Sequence, residues 1–244
     1  MQSFKVRAVL AEKTLSWTEH RIELLKFEHL RPEYLSLNPN GVVPTLMHDG
    51  RAVIESSVIC EYLDETFAKP GLMPTDPYSR AQARAWLKLF DDLAHPAIRQ
   101  ASFELLYRPL LARMPPAELA ERLTRHPNPV RAQRFRDAAR AGADVTAIKE
   151  AASSFRAIIG RMDAALQRNQ WLAGPDYSLA DAAMSAFAER IENLGMAKLW
   201  EPFPQAWKWA AAILERPSVA AASAPLEYRL PAPDSAQVDE ATGG

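Results

Sequence analysis

Cysteine is nearly absent: Cys60 is the only one in 244 residues. No intrachain disulfide can form, and the chain reads as a cytoplasmic one. No stretch approaches the ~18 consecutive apolar residues of a membrane span, and no signal-like apolar run follows Met1. A membrane partner is therefore not expected. Charge of either sign is also not in excess. Lys plus Arg number 29 and Asp plus Glu 30, a formal net charge of −1, so nothing in the overall charge calls for nucleic acid or another polyanion. No metal-binding pattern stands out. What is present is apolar content of 48% over a length that suffices for one large core or two modest ones, and two domains are expected.

The organisation changes once along the chain. Residues 17–22 (WTEHRI), 45–49 (TLMHD) and 52–55 (AVIE) are short and β-rich, bounded by Asn-Pro-Asn-Gly and Asp-Gly, whereas Phe4 to Lys13 and Ser57 to Phe67 carry helical spacing. This is an α/β unit, assigned to residues 1–69. Three prolines and a glycine in AKPGLMPTDP cannot continue a helix, and the linker is placed at 70–77. From Tyr78 to residue 230 the spacing predicts an all-helical domain. Ala85, Trp86, Leu89, Phe90 and Leu93 form one stripe, Phe155, Ile158, Ile159, Met162 and Leu166 a second, and Ala183, Phe187, Ile191 and Leu194 a third. These stripes read as core. Residues 231–244 hold little to bury and are expected to be disordered.

Residues 104–150 carry nine basic against six acidic side chains, a net charge of +3. A solvated helical face accounts for this, and an anionic substrate mouth is the functional alternative.

The chemistry concentrates in NPNGVVPTLMHDGRAVIESSVICEYL, residues 38–63. Asp49-Gly50 between apolar runs signals a hairpin pairing 45–49 with 52–55. Pro44 cannot donate to a ladder, and a cis Val43–Pro44 bond would turn the Val43 backbone outward, where an extended peptide could pair with it. Glu55 ends a strand and Ser56-Ser57 open a helix. Free N–H groups at that helix start favour a carboxylate and Glu55 favours an ammonium, a combination that suits an α-amino-acid head group. The plain alternatives are an edge-strand proline and an N-cap serine. Cys60, inside the apolar run VICEYL, reads as a buried inert thiol.

Together these residues resemble the glutathione transferase superfamily. WLAGPDYSLADAAM (171–184) is similar to that family's C-terminal signature and FPQAWKWAAAILERPSVAA (203–221) to its closing helix. The resemblance implies an α+β architecture: an N-terminal thioredoxin-like domain, here without a recognisable first strand, followed by an all-α bundle. It implies glutathione as co-substrate, held by Val43 and Pro44 through the cysteinyl backbone and by Glu55 and Ser56 at the γ-glutamyl end, and a homodimer. Ser178 and Asp181 form an S-x-x-D capping box whose role is structural.

HDGRAVIESSVICEYLDE and the long insertion HPNPVRAQRFRDAARAGAD look like the bacterial glutathione-dependent β-aryl-etherases. One departure stands out. Those enzymes carry glutamine where this chain has Val42, which removes one hydrogen bond to glutathione, about 1 kcal/mol. The implied reaction is conjugation or thiolytic cleavage of a small hydrophobic electrophile, with a β-aryl ether as the sharper reading. An isomerase or dehalogenase of the same superfamily is a second possibility. A non-catalytic binding protein of the stringent-starvation type is the reading from another class.

In the etherase register Gln2-Ser3 matches an Asn-Ser pair, leaving Ser3 as the candidate for sulfur activation, against the plain reading that it caps the helix. His95 and Arg108 are candidates for the electrophile site, as cations for a departing phenolate, against the readings of a helix-end histidine and a surface arginine. Because the family's first strand lies mid-sheet, its absence leads to the expectation that the natural chain begins upstream of Met1.

Overall fold

A computed structural model describes residues 1–124, 129–225 and 230–243, with the Arg131 side chain outside the described set. The first helix, α1 (Gln2–Glu12), is followed by extended chain, two 3₁₀ turns (Leu24–Lys26 and Glu28–Leu30) and the short α2 (Pro32–Leu35). Then come β1 (Thr45–His48), β2 (Arg51–Ile54) and α3 (Ser56–Thr66).

The hairpin forms as the sequence predicts. β1 and β2 pair antiparallel with Thr45 opposite Ile54 and His48 opposite Arg51. Asp49 and Gly50 both take positive φ, 48° and 74°, the turn that matches the twist of paired strands. Residues 17–22, expected as a strand, form no ladder, and the sheet among the described residues has two strands. β propensity expresses itself only where a neighbouring strand supplies hydrogen bonds.

The linker is tied to this unit by one carboxylate. Asp64 Oδ1 accepts from Lys13 Nζ at 2.7 Å and from the Leu72 N–H at 2.8 Å, while Oδ2 accepts from the Met73 N–H at 2.9 Å. Lys13 also donates to the Pro70 carbonyl at 2.7 Å. A chain with three prolines thus gains fixed anchors without secondary structure of its own.

Helical structure follows: α4 (Pro77–Leu89), α5 (His95–Ser102), α6 (Arg108–Arg113), α7 (Pro116–Thr124), α8 (Pro129–Arg140), α9 (Val145–Leu166), α10 (Leu179–Asn193), α11 (Pro204–Leu214), α12 (Pro217–Ala222) and α13 (Ser235–Thr242). Their starts are written in the sequence. Asp76, Asp144 and Asp234 accept from the N–H groups of Ser79, Ala147 and Ala236, and the predicted Ser178/Asp181 capping box opens α10.

Two prolines fall inside a helix that continues through them. Pro96 and Pro109 would collide with the carbonyls four residues earlier, those of Asp92 and Leu105, and each of those residues lies in a π-helical turn, Phe90–Ala94 and Phe103–Tyr107. His95 is therefore a mid-helix residue rather than a helix end. The core of this domain joins Phe90, Phe155, Met162, Phe187 and Trp200, all close to fully buried, so the second and third predicted stripes are core, whereas of the first only Trp86 and Phe90 are buried and Ala85 and Leu93 are exposed.

The tail departs from expectation. Instead of disorder, Ser235–Thr242 is helical and buries Val238 and Ala241, with Arg156 donating to the Thr242 carbonyl and Lys198 pairing with Asp239 at 3.2 Å. Two apolar side chains three residues apart on one helical face suffice to seat it on α9.

The insertion is more than a solvated face. Leu111, Leu119, Leu123 and Ala132 make a small core that takes in Leu25 and Phe27 of the N-terminal unit, and Arg122 donates to the Leu25 carbonyl at 3.2 Å while pairing with Glu118. Arg134 and Arg140 are exposed. Arg125 and the Arg131 side chain lie outside the described residues.

Candidate active site

The loop before β1 is clamped from beneath. Asn38, fully buried, donates through Nδ2 to the Val42 carbonyl at 2.8 Å and to Thr45 Oγ1 at 3.3 Å, and its Oδ1 accepts from the Asn40 N–H at 3.1 Å. Tyr34 adds its hydroxyl, 2.7 Å from the Val42 carbonyl and 2.9 Å from Thr45 Oγ1. Gly41 makes the turn possible. It sits at φ +58°, and a Cβ there would lie 2.8 Å from Leu30 Cδ2. Sequence reasoning took Asn38 to Gly41 only as a turn. Buried Asn38, which holds this loop, was missed, and its one signal in the sequence was its place four residues before Val42.

With Val42 held, the Val43–Pro44 bond is cis. The backbone N–H and C=O of Val43 take no partner among the described residues, the condition for pairing with an extended peptide. Val42, where etherases have glutamine, is 46% exposed.

At the other end of the hairpin Glu55 adopts φ 67° and ψ 111°, an uncommon backbone for a side chain of this size and the kind of local strain that gathers at binding sites. Glu55, not Ser56, is the N-cap residue of α3. The first intrahelical bond runs from the Ile59 N–H to the Glu55 carbonyl, which leaves the N–H groups of Ser56, Ser57 and Val58 without helical partners. The exposed Glu55 carboxylate accepts from Asn40 Nδ2 at 3.2 Å. Ser56 is buried, and its hydroxyl donates to Gln2 Oε1 at 2.7 Å.

That bond brings the start of α1 to the corner. Ser3 does not cap α1, because the cap position belongs to Met1. Ser3 stands in the first turn, half-buried, one residue from Gln2, and its hydroxyl has no partner among the described residues. His95 lies within electrostatic reach of Lys5, Asp91 and the chain start. Burial pushes its pKa below the ordinary 6.5, with Arg99 pushing the same way, so the neutral ring predominates at pH 7 and supplies no cation.

Arg108 is not brought in. Thirteen residues beyond His95 on the same helix, it lies roughly 20 Å further along the axis. Its guanidinium grips Glu104 through two bonds, 2.5 Å and 2.7 Å, and reaches the Ala138 carbonyl at 3.3 Å. It is neither a surface arginine nor a group aimed at the corner. Cys60 is fully buried, and burial drives its thiol up to about 12, so it is inert as predicted.

A clamped cis-proline loop and a strained turn into a helix start, beside a helical bundle, are the architecture of the glutathione transferases. The chain belongs to the glutathione S-transferase family: residues 3–71 match the model of its N-terminal domain and residues 131–217 that of its C-terminal domain. It is similar to Protein LigF of Sphingobium sp. strain SYK-6, 31% identical over 196 residues, 79% of this chain and 76% of that protein. The crystal structure of beta-etherase LigF from that strain superposes with a TM-score of 0.78 at 29% identity, covering 91% of this chain and 93% of that one. FtsZ-localized protein A of Caulobacter vibrioides is 30% identical over 219 residues, 88% of this chain and 83% of that protein. The α+β architecture, transferase activity and use of glutathione expected from the sequence therefore hold.

Proposed function

We propose that this transferase binds glutathione across Val43, Pro44, Glu55 and Ser56 and directs its sulfur, activated by Ser3, at a small hydrophobic electrophile of the β-aryl ether class. The observation that carries the binding mode is the pairing of an unpartnered Val43 backbone with three free N–H groups at the start of α3. The first suits the cysteinyl peptide unit. The second suits the γ-glutamyl carboxylate, with Glu55 for its ammonium.

The chemistry then asks little of the protein. The unpartnered Ser3 hydroxyl donates to the sulfur, favours the thiolate and so lowers the thiol pKa. The thiolate attacks the ether carbon, a carbon–sulfur bond forms as the carbon–oxygen bond breaks, and the phenolate leaves to take up a proton from water. Neither His95, neutral, nor Arg108, bound to Glu104, stands ready as a cation for that phenolate, so the departing oxygen relies on neutral donors or solvent. The ether is chosen over other electrophiles because of the resemblance to LigF. Exposed Val58 on α3 and Tyr78 on α4 are the kind of apolar surface a homodimer would cover, and the reading places the protein in the cytoplasm. Among the described residues no helix is long and apolar enough to cross a membrane.

A second reading rests on one observation, the relative named FtsZ-localized protein A. It makes the fold a docking module for a large partner, the same class as a stringent-starvation-type protein. Immobilised glutathione separates the two. Retention, elution by free glutathione and release of phenol from a β-aryl ether support the transferase reading. Failure to bind, with a large partner co-purifying, supports the module.

A further inference from the structure

Lys5 is the least expected side chain in the molecule: a lysine with no solvent exposure at all. A buried ammonium is tolerated only when its charge and all its donors are met. Here Nζ donates to Ser57 Oγ at 2.7 Å and to Asp91 Oδ1 at 3.0 Å, and sits 4.5 Å from the Phe90 ring centroid. Ser57 in turn donates to Asp91 Oδ2 at 2.6 Å. Gln2 Nε2 reaches the same carboxylate at a long 3.5 Å while its Oε1 accepts from Ser56.

Three separate elements therefore converge on one charge. Lys5 comes from α1, Ser57 from the first turn of α3, and Asp91 from the π-helical turn of the helical domain. Nothing in the transferase chemistry needs Lys5 to touch glutathione, yet its two partners lie beside the two residues that hold the γ-glutamyl group. Ser57 follows Ser56 in the chain, and Asp91 holds the amide whose other end fixes Ser56.

We infer that Lys5, with Ser57 and Asp91, is a positioning triad that fixes the first turn of α3, and through it Ser56 and the strained Glu55 turn, against the helical domain so that the γ-glutamyl site stays assembled. This rests on the placement of glutathione at Glu55 and Ser56 given above. The Glu55 backbone holds an uncommon conformation only if its surroundings over-determine it. An ionic anchor two residues away supplies that constraint.

The experiment compares wild type, Ser56→Ala, Lys5→Met and the double variant Lys5→Met/Asp91→Leu, reading melting temperature, glutathione dissociation constant by calorimetry, and kcat and KM separately. Lys5→Met should raise the glutathione dissociation constant and KM by about tenfold or more, with kcat changed less, because a misplaced binding turn costs affinity before it costs chemistry. Lys5→Met also removes the cation from beside Asp91, which keeps only Ser57 and the long Gln2 bond, so melting should fall. The double variant removes both charges and should regain most of the lost melting temperature while keeping the weak binding. Recovery of both melting and affinity in the double variant would show that the triad serves stability alone and overturn the inference. Unchanged affinity in a folded Lys5→Met would do the same. If Lys5→Met binds normally while Ser56→Ala is weak, only the inference falls; if Ser56→Ala binds as wild type, the glutathione placement falls and takes the inference with it.

Discussion

Replacing Asn38 by Ala tests whether the cis-proline loop is held from below, as the geometry requires. The substitution deletes three hydrogen bonds, to the Val42 carbonyl, to Thr45 Oγ1 and from the Asn40 N–H. Neutral bonds contribute about 1 kcal/mol each. The Thr45 bond is long at 3.3 Å and the Val42 carbonyl keeps Tyr34 at 2.7 Å, so the loss should be about 2–3 kcal/mol, including the Asn40 N–H left without its partner. For a chain of this size that corresponds to roughly 4–10 °C of melting temperature. Because the clamp ends on Val42, one residue before the backbone offered to glutathione, affinity should fall about tenfold as the loop loosens. Asn38→Asp sharpens the test. It retains the acceptor for the Asn40 N–H but turns an oxygen toward the Val42 carbonyl, so it should be at least as damaging as Ala. Thermal melting and glutathione calorimetry on the three proteins decide the matter. If Asn38→Ala melts within a degree of wild type and binds glutathione equally, the clamp is not what holds the loop.

Ser3→Ala should leave glutathione affinity nearly unchanged and lower kcat by about 10²-fold, read from the thiol titration of the bound complex, whose pKa should rise; an unshifted titration would remove Ser3 from the chemistry. Arg108→Leu strands buried Glu104 and should cost about 3–5 kcal/mol of stability, while Arg108→Leu/Glu104→Leu should melt near wild type and keep ether-cleaving activity; loss of activity in the folded double variant would return Arg108 to the electrophile site. Burial opposes the charge of Glu12, but hydrogen bonds from Arg216 and Ser218 outweigh it and hold the carboxyl below its ordinary 4.5. A depressed carboxyl contributes stability above its unfolded pKa that is lost as pH falls through the folded one, so melting should decline below about pH 4.5 and Glu12→Gln should flatten that decline. Finally, activity on carboxylated and neutral aryl ethers should show the same salt dependence, since Arg122 is bound to Glu118 and Leu25 rather than free; a steep fall confined to the carboxylated substrate would make the insertion an anionic mouth after all.

What the sequence made legible were features whose cause is local. The Asp49-Gly50 turn, the α10 capping box and the stripes of α9 and α10 depend on residues a few positions apart, and each formed where expected; the stripe of α4 holds only at Trp86 and Phe90, with Ala85 and Leu93 exposed. Val43–Pro44 and the Glu55-Ser56 corner were legible because few residue combinations suit them. Features created by distant contacts were not. Lys5 reads on a helical wheel as one more polar position, and its burial exists only because Asp91, 86 residues away, arrives to neutralise it. Arg108 looked free because Glu104, one turn earlier, was counted as a solvated partner instead of a buried one. The tail misled for a quantitative reason: two small apolar side chains seem too few to order a segment in isolation, but they add to a groove that α9 and α10 have already formed.

The position of α1 explains why so much of the site depends on it. Its buried residues point in every direction, Phe4 and Ala8 into the helical-domain core, Val6, Val9 and Leu10 into the N-terminal one, so no single polar face remains for solvent. The charged side chains along it and at its C-cap must then be satisfied internally, each by a different part of the chain: Lys5 by α3 and the helical domain, Arg7 by the Ala222 carbonyl and Glu19, Glu12 by Arg216 and Ser218 at the entry to α12, and the C-cap Lys13 by Asp64 and the linker. A shift of α1 in any direction would strain at least one of these pairs, and burial makes each costly to break. That fixes the helix which carries Gln2 and Ser3. On the proposed reading loops meet the two ends of glutathione, while Ser3 is carried by a helix held from several sides, which is where a donor must be if it is to meet a thiolate at hydrogen-bond distance without rearranging first.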